Sequence, residues 1–364
     1  MRLATFLQIS DLHFGDIDRQ TGNAVQASKV GLHKVFDGLL GHSLRSLIRV
    51  ERFWQRLHDD EQAGLIVTGD LTTVGNIIQF RTATTYLEDT LDLSTVMLPP
   101  VPPPVGLKDT EWKDRTIPGN HDHWPGSCKP PNFMYGPPST EMATDFLDGY
   151  PRVSQFPLLG GYEVKFILIK TDGDVSPYLP SLDRLLAKGE FTSQLKELAR
   201  DYNLGLPNEN EIRVLCLHHS PAYRGRSLEI KSLSRDALND FIVDYNIAVL
   251  LTGHVHVPPL IQTSPAQHLG IKRTYLEARC GTSSQQSTLR YTTTTPTGKR
   301  PQRPDRLPNS LLVHRLIKEG TEIFWHTECY FEMPTGFKEL SQITSPILSN
   351  ISIGTPFKVL PLDS

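Results

Sequence analysis

Short apolar runs that end abruptly at Gly, Asp, Asn or His punctuate this chain. Residues 3–9, 65–68, 164–169, 212–217 and 247–251 are rich in branched apolar side chains, and 113–117 is a fainter version. Runs of this length read as buried strands. Between them the period changes. In 43–58, Leu44, Leu47, Ile48, Trp54 and Leu57 recur at helical spacing, with Trp54 as a core residue and Arg45, Arg49, Glu51, Arg52 and Arg56 on the outer face. In 76–91 the apolar side is Ile77, Ile78, Phe80, Ala83, Tyr86 and Leu87; in 191–202 it is Leu195, Leu198, Ala199 and Tyr202. Ser234 is placed to cap a helix running through Tyr245, with Leu238, Phe241 and Ile242 on its stripe. A short helix is expected at 139–147. Residues 273–282 and 310–329 look β-rich, the latter as two strands joined at Glu319-Gly320. Strands alternating with helices predict an α/β domain.

No internal repeat and no interdomain linker interrupts residues 1–332, which read as one large domain. The run Pro99-Pro100-Val101-Pro102-Pro103-Pro104 reads as a stiff polyproline II insertion at the surface rather than an SH3-type ligand. Residues 125–138 form a Pro- and Gly-rich loop, with Phe133, Met134 and Tyr135 placed either to shape a pocket or to pack. Residues 283–308 read as a flexible Thr/Arg-rich loop carrying Lys299, Arg300, Arg303 and Arg306, and 333–364 as a loosely packed C-terminal tail.

Composition narrows the function classes. The 364 residues are 38% hydrophobic and 21% charged, enough for a sizeable core without covalent staples. The net charge of -3 argues against a polybasic surface for membranes, and the lack of a clustered basic face argues mildly against nucleic acid as a partner. Cys128, Cys216, Cys280 and Cys329 show neither zinc-knuckle nor disulfide spacing, so they are expected to be reduced thiols in a cytoplasmic protein. Neither a signal peptide nor a membrane-spanning apolar segment is expected.

The chemistry sits where the apolar runs stop. Asp11 and His13, Asp70, Asn120 and His121, His218 and His219, and His254 and His256 each follow a predicted strand directly. Asp11 and His13 lie on one side of an extended backbone and can ligate one ion. With 26 Gly and 13 His in the chain, Gly-His-x-His arises by chance roughly 0.03 times. Seven of the 13 His (His13, His121, His123, His218, His219, His254 and His256) lie in or beside these motifs, a concentration that dispersed core or surface histidines would not produce. In open α/β sheets ligands bind outside the carboxyl ends of the strands, so five such ends can converge on one site.

The blocks Asp11-Leu12-His13, Gly69-Asp70, Gly119-Asn120-His121-Asp122, His218-His219-Ser220-Pro221 and Gly253-His254-Val255-His256 resemble, in order and spacing, the five motifs of the calcineurin-like metallophosphoesterases. The resemblance covers residues 3–330. It implies a metallophosphoesterase domain over 1–332, built as a four-layer α/β/β/α sandwich of two mixed sheets flanked by helices, with a dinuclear metal site at the strand carboxyl ends. It implies that Asp11, His13 and His256 hold one ion, that Asn120, His218 and His254 hold the other, and that Asp70 bridges them; His219 is the alternative to His218. His121, beside the leaving-group oxygen, is the implied catalytic residue, joined by Asp122, which either orients His121 or caps the following helix. Two divalent or trivalent ions are expected as cofactors, and imidazole, carboxylate and amide ligands suit Fe, Mn or Zn better than Ca. The implied reaction is hydrolysis of a small phosphomonoester or phosphodiester by in-line attack of a metal-bridging hydroxide. The alternatives are a nuclease of the same fold and a non-catalytic binding scaffold; the scaffold would be expected to lack ligands or His121. Gly75, and Gly189-Glu190-Phe191 leading to Gln194-Leu195, are most similar to the branch holding cyclic-nucleotide and glycerophosphodiester phosphodiesterases.

Overall fold

A computed structural model of the protein describes residues 1–25, 41–73, 75, 77–123, 146–147, 149–171, 188–202, 204–223, 229–254, 259–285, 308–343, 348, 351 and 354–360. The expected pocket loop at 125–138, most of the helix at 139–147, residues 286–307 of the Thr/Arg-rich loop, Cys128 and His256 lie outside the described residues.

Two mixed sheets carry the architecture. The first is built on β1 (Arg2–Ile9), β2 (Gly64–Thr68) and β3 (Thr116–Ile117), which run parallel. It continues antiparallel through β10 (Ser310–Glu319) and β11 (Glu322–Met333), whose outer edge pairs with β12 (Gly336–Glu339) and β13 (Phe357–Leu360). The second sheet has the order β4-β5-β6-β7-β9-β8. Its strands are β4 (Arg152–Pro157), β5 (Glu163–Leu168), β6 (Glu211–Cys216), β7 (Val249–Thr252), β8 (Leu260–His268) and β9 (Ile271–Arg279). Strands β5, β6, β7 and β9 are parallel, and β4 and β8 close the two edges antiparallel.

The period-two alternation of side chains separates the layers. Along β1, Phe6 faces the second sheet with Ile66, Phe166, Val214, Leu251 and Trp325, whereas Leu7 and Ile9 face outward with Leu65 and Val67. Helices α1 (Leu44–Glu61) and α2 (Ile77–Glu88) cover that outer face through Leu47, Trp54, Phe80 and Tyr86. Helices α3 (Thr192–Asp201) and α4 (Ser232–Asp244) cover the other sheet through Leu195, Leu198, Leu238 and Phe241. Three apolar clusters therefore fill the three interfaces of an α/β/β/α sandwich, the expected fold. None of the described helices is long and apolar enough to cross a membrane.

Helix α1 forms where its pattern predicts. Ser43 caps it, the side chain accepting the Ser46 N–H, and Leu44, Leu47, Val50, Phe53, Trp54 and Leu57 are buried at three- and four-residue intervals. Trp54 is core, its indole N–H donating to the Leu107 carbonyl at 2.6 Å.

Several expectations are corrected. Residues 112–115 form a single 3-10 turn, so the strand expected at 113–117 shrinks to Thr116–Ile117. Ser234 lies inside α4, whose cap is Lys231; its hydroxyl accepts the Phe191 N–H at 3.0 Å and ties α4 to α3. The segment after residue 332 is not a loose tail in its described parts, because β12 and β13 extend the first sheet and bury Phe337, Val359 and Leu360. The start of the Thr/Arg-rich loop is equally fixed: Ser283 and Ser284 are fully buried, and Ser283 exchanges hydrogen bonds with Ser10. Cys216, Cys280 and Cys329 are buried free thiols.

Candidate metal centre

The site is assembled from loops at the carboxyl ends of β1, β2, β3, β6 and β7, and backbone bonds lock those loops together. Asp11 N–H donates to the Gly69 carbonyl and His13 N–H to that of Asp70, each at 3.0 Å, while Gly253 N–H donates to the His218 carbonyl at 3.0 Å. The His254 N–H, from the second sheet, donates to Asp11 Oδ2 at 3.1 Å, on the first. These turns force unusual backbone. Asp11, His13, Asp70 and His254 have φ of 53°, 49°, 52° and 75°, a left-handed conformation that costs a non-glycine residue about 1–3 kcal/mol. Two glycines allow the close approach. Gly69 has a φ of 100°, and a Cβ there would lie 2.3 Å from His218 Nδ1; a Cβ on Gly119 would lie 2.1 Å from Asp70 Oδ1.

Two buried groups of side chains result, and they share a residue. Asp11, His13 and Asp70 form one; Asp70, His218 and His254 form the other. Asp70 Oδ2 faces both, 3.8 Å from His13 Nε2 and 3.2 Å from His218 Nε2. His254 Nδ1 lies 3.1 Å from His218 Nε2. Asn120 is buried on the loop after β3. His219 points differently: its Nδ1 pairs with Thr171 Oγ1 at 2.6 Å, and its ring lies against that of His254 at 3.9 Å. Gly189 packs on the His219 ring, the Glu190 N–H donates to the Thr171 carbonyl at 2.7 Å, and Gln194 accepts from the Lys170 N–H at 3.0 Å. The Gly189-Glu190 motif thus braces the loop that holds His219.

His121 and Asp122 separate in role. The His121 N–H donates to Asp70 Oδ1 at 2.9 Å, its Nδ1 meets the Thr73 carbonyl at 3.0 Å, and its ring stands edge-on to His13 at 5.0 Å. Asp122, expected to orient His121 or cap a helix, instead accepts from Leu71 N–H, Thr72 N–H, the Thr72 hydroxyl and Gly119 N–H at 2.8–3.1 Å. Its carboxylate pins the loop after β2 to the loop after β3. Burial, reinforced by the neighbouring Asp70 charge, pushes the Asp122 carboxyl up to about 7.

The charges are arranged for a cation. The Thr68 carbonyl can only accept, so the proton of His218 sits on Nδ1, 2.6 Å away. In the neutral ring that leaves the Nε2 lone pair directed at Asp70 Oδ2, a fully buried oxygen with no hydrogen-bond partner of regular geometry among the described residues. Two lone pairs 3.2 Å apart repel, and a positive charge between them turns that repulsion into attraction. Burial alone would lower the His218 pKa, but the charge and hydrogen bond of Asp70 override it and hold the ring up to about 9, while burial of Asp70 is overcome by His218 and His121, which keep its carboxyl well below the usual range. The donor set fits a metal ion equally well. Two nitrogens bonded at about 2.1 Å to one ion at near right angles lie ~3 Å apart, and His218 and His254 are separated by 3.1 Å.

The family model of the calcineurin-like phosphoesterases matches residues 4–258, more than half of the chain. The protein belongs to this family. No curated protein matches the chain. As a calcineurin-like phosphoesterase it carries Asp/His clusters that fit a dinuclear metal centre. The matched region ends just after the last motif, so β8 to β13 lie beyond it and complete both sheets.

The sequence did not disclose the groups that orient the histidines. The carbonyls of Thr68 and Thr73 fix the tautomers of His218 and His121, and any residue type could supply a carbonyl. Thr171 had a faint signal, as part of the polar Lys170-Thr171-Asp172 that follows the 164–169 run.

Proposed function

We propose that this calcineurin-like phosphoesterase hydrolyses a small phosphomonoester or phosphodiester with two ions of Fe, Mn or Zn. Asp11, His13 and His256 would hold one ion, Asn120, His218 and His254 the other, and Asp70 both. The observation that carries this reading is the position of Asp70 Oδ2, which faces His13 and His218 at once while Oδ1 is engaged by the His121 N–H. A single carboxylate oxygen serving two ligand groups is what two closely spaced cations need. Such a pair, when bound, neutralises phosphate charge and lowers the pKa of water toward neutrality.

The protein's own residues supply orientation and a proton. The Thr68 carbonyl presents His218 through Nε2, a carbonyl–imidazole pairing typical of metal-binding histidines. The Thr73 carbonyl takes the Nδ1–H of His121, so Nε2 is the nitrogen left to exchange protons. As an imidazolium, His121 delivers its Nε2 proton to the departing alkoxide and is left as the neutral Nδ1–H ring. Asp122 holds the two loops that carry Asp70 and His121 at fixed separation.

The test is metal analysis of purified protein together with hydrolysis of bis-p-nitrophenyl phosphate in added Mn. Support requires about two equivalents of metal per chain, lost in Asp70→Ala along with turnover. Protein with no bound metal and no hydrolysis sinks the reading. A panel of monoesters, cyclic nucleotides, glycerophosphodiesters and single-stranded DNA then ranks substrates.

A further inference from the structure

Helix α1 carries Arg45, Arg49, Arg52 and Arg56 on one stripe, at intervals of four, three and four residues. They line a groove of about 880 Å³ between the helix and the β11–β12 turn at Pro334–Gly336, floored by Ile48 and Phe337. This is the clustered basic face that composition did not reveal. A solvated helix surface normally alternates its charge signs. Here three successive like-charged neighbours repel, and Arg45 sits in the first turn, where the helix dipole disfavours a cation. The helix forms despite these penalties because its other face is buried.

The arginines are differently engaged. Arg49 shows what the groove recognises: it takes the Glu332 carboxylate and the Pro334 carbonyl. Among the described residues, Arg45 reaches only the Pro334 carbonyl at 3.5 Å, and Arg56 only the Arg52 carbonyl at 3.3 Å. Arg45, Arg52 and Arg56 make no ion pair among the described residues and are exposed. Two acidic groups qualify the field: Asp59 lines the groove, and Glu51 lies close enough to Arg52 to feel its charge.

We propose that this groove is a docking site for an acidic, Asp/Glu-rich segment of a partner protein, separate from the metal centre. The stripe from Arg45 to Arg56 rises ~16 Å along the helix, the reach of several extended residues rather than of one small anion. Guanidinium groups bind carboxylates through charge-assisted hydrogen bonds, as Arg49 already does with one oxygen of Glu332. Single-stranded nucleic acid would want exposed aromatic rings for its bases, and the one aromatic residue lining the groove, Phe337, is buried.

The experiment is fluorescence anisotropy of a labelled oligo-glutamate peptide against the full-length protein, compared with Arg45→Glu/Arg52→Glu and with the milder Arg45→Gln/Arg52→Gln. The wild type should bind, with affinity falling as salt rises. Charge reversal should weaken binding at least ~10-fold and neutralisation by less, following the loss of exposed cations. Both variants should keep phosphoester hydrolysis and melt no lower than the wild type, because they relieve repulsion within α1. That excludes misfolding as the cause of lost binding. No binding by the wild type, unchanged binding by the charge-reversed variant, or tighter binding of a single-stranded oligonucleotide of equal charge would each overturn the proposal.

Discussion

His218 of the second sheet donates its Nδ1–H to the Thr68 carbonyl of the first at 2.6 Å, across the seam where the metal centre lies. This bond decides that Nε2 faces Asp70, at 3.2 Å, and that contact distinguishes His218 from His219, whose Nδ1 is engaged by Thr171. His218→Ala should therefore lower metal content by about one equivalent, and His219→Ala should retain both ions. Inductively coupled plasma mass spectrometry of the dialysed variants checks this. Equal loss in the two variants would show that His219 is also a ligand.

His121 is tied to the centre through its backbone rather than its ring, since its N–H holds Asp70 Oδ1 at 2.9 Å. His121→Ala keeps that bond. It should retain metal while turnover falls roughly 10²–10⁴-fold, the usual worth of a general acid. The loss should be greater for alkyl esters than for p-nitrophenyl esters, whose leaving group needs no proton. Parallel losses for both esters would remove the ring from proton delivery.

How much of this could be read from the chain depends on burial. The strands that end at Asp11, Asp70, His218 and His254 were legible because they are buried on both faces and read as apolar runs. Strands β4 and β8 were missed for the opposite reason. They are the two edges of the second sheet, half exposed, and β8 carries Pro265, which an edge tolerates. The site residues were legible as types at strand ends. Their grouping around Asp70 was not, because it depends on left-handed backbone at Asp11, His13, Asp70 and His254, residue types that do not announce it. Asp122 shows the converse: beside His121 in sequence it reads as chemistry, yet it is spent on loop architecture.

That architecture makes Asp122 a stability residue. Asp122→Ala would orphan the N–H groups of Leu71, Thr72 and Gly119 in a buried setting. Each buried unsatisfied donor costs about 1–3 kcal/mol, so a loss of roughly 3–5 kcal/mol is expected, with reduced metal retention because both loops carry candidate ligands. Urea denaturation at saturating metal measures it. A variant as stable as the wild type with only turnover impaired would restore Asp122 to a direct catalytic role.

Two buried histidines outside the ligand set should give the protein an acid limit. His42 accepts the Gly15 N–H at Nδ1 and meets the Gly22 carbonyl through Nε2, each at 3.2 Å. His314 accepts the Trp325 indole N–H at Nδ1 and meets Gln8 Oε1 through Nε2, each at 3.0 Å. In His42 a second proton would have to enter at Nδ1 against an N–H that can only donate; in His314 it would have to displace the Trp325 N–H from Nδ1, which also lies 3.0 Å from Thr327 Oγ1. Burial lowers His42 to about 4 and His314 to about 3. The unfolded chain, with histidines near 6.5, therefore binds these protons first. Stability is complete above 6.5 and is lost as pH falls through the window toward 4 and then 3, with each ring costing about 2 kcal/mol by pH 5. Gln in place of His314 can accept from Trp325 and donate to Gln8 without titrating. His314→Gln should thus start less stable at pH 8 but lose about 2 kcal/mol less than the wild type between pH 8 and pH 5, read from urea midpoints at saturating metal. Parallel pH profiles for the two proteins would place the acid sensitivity elsewhere.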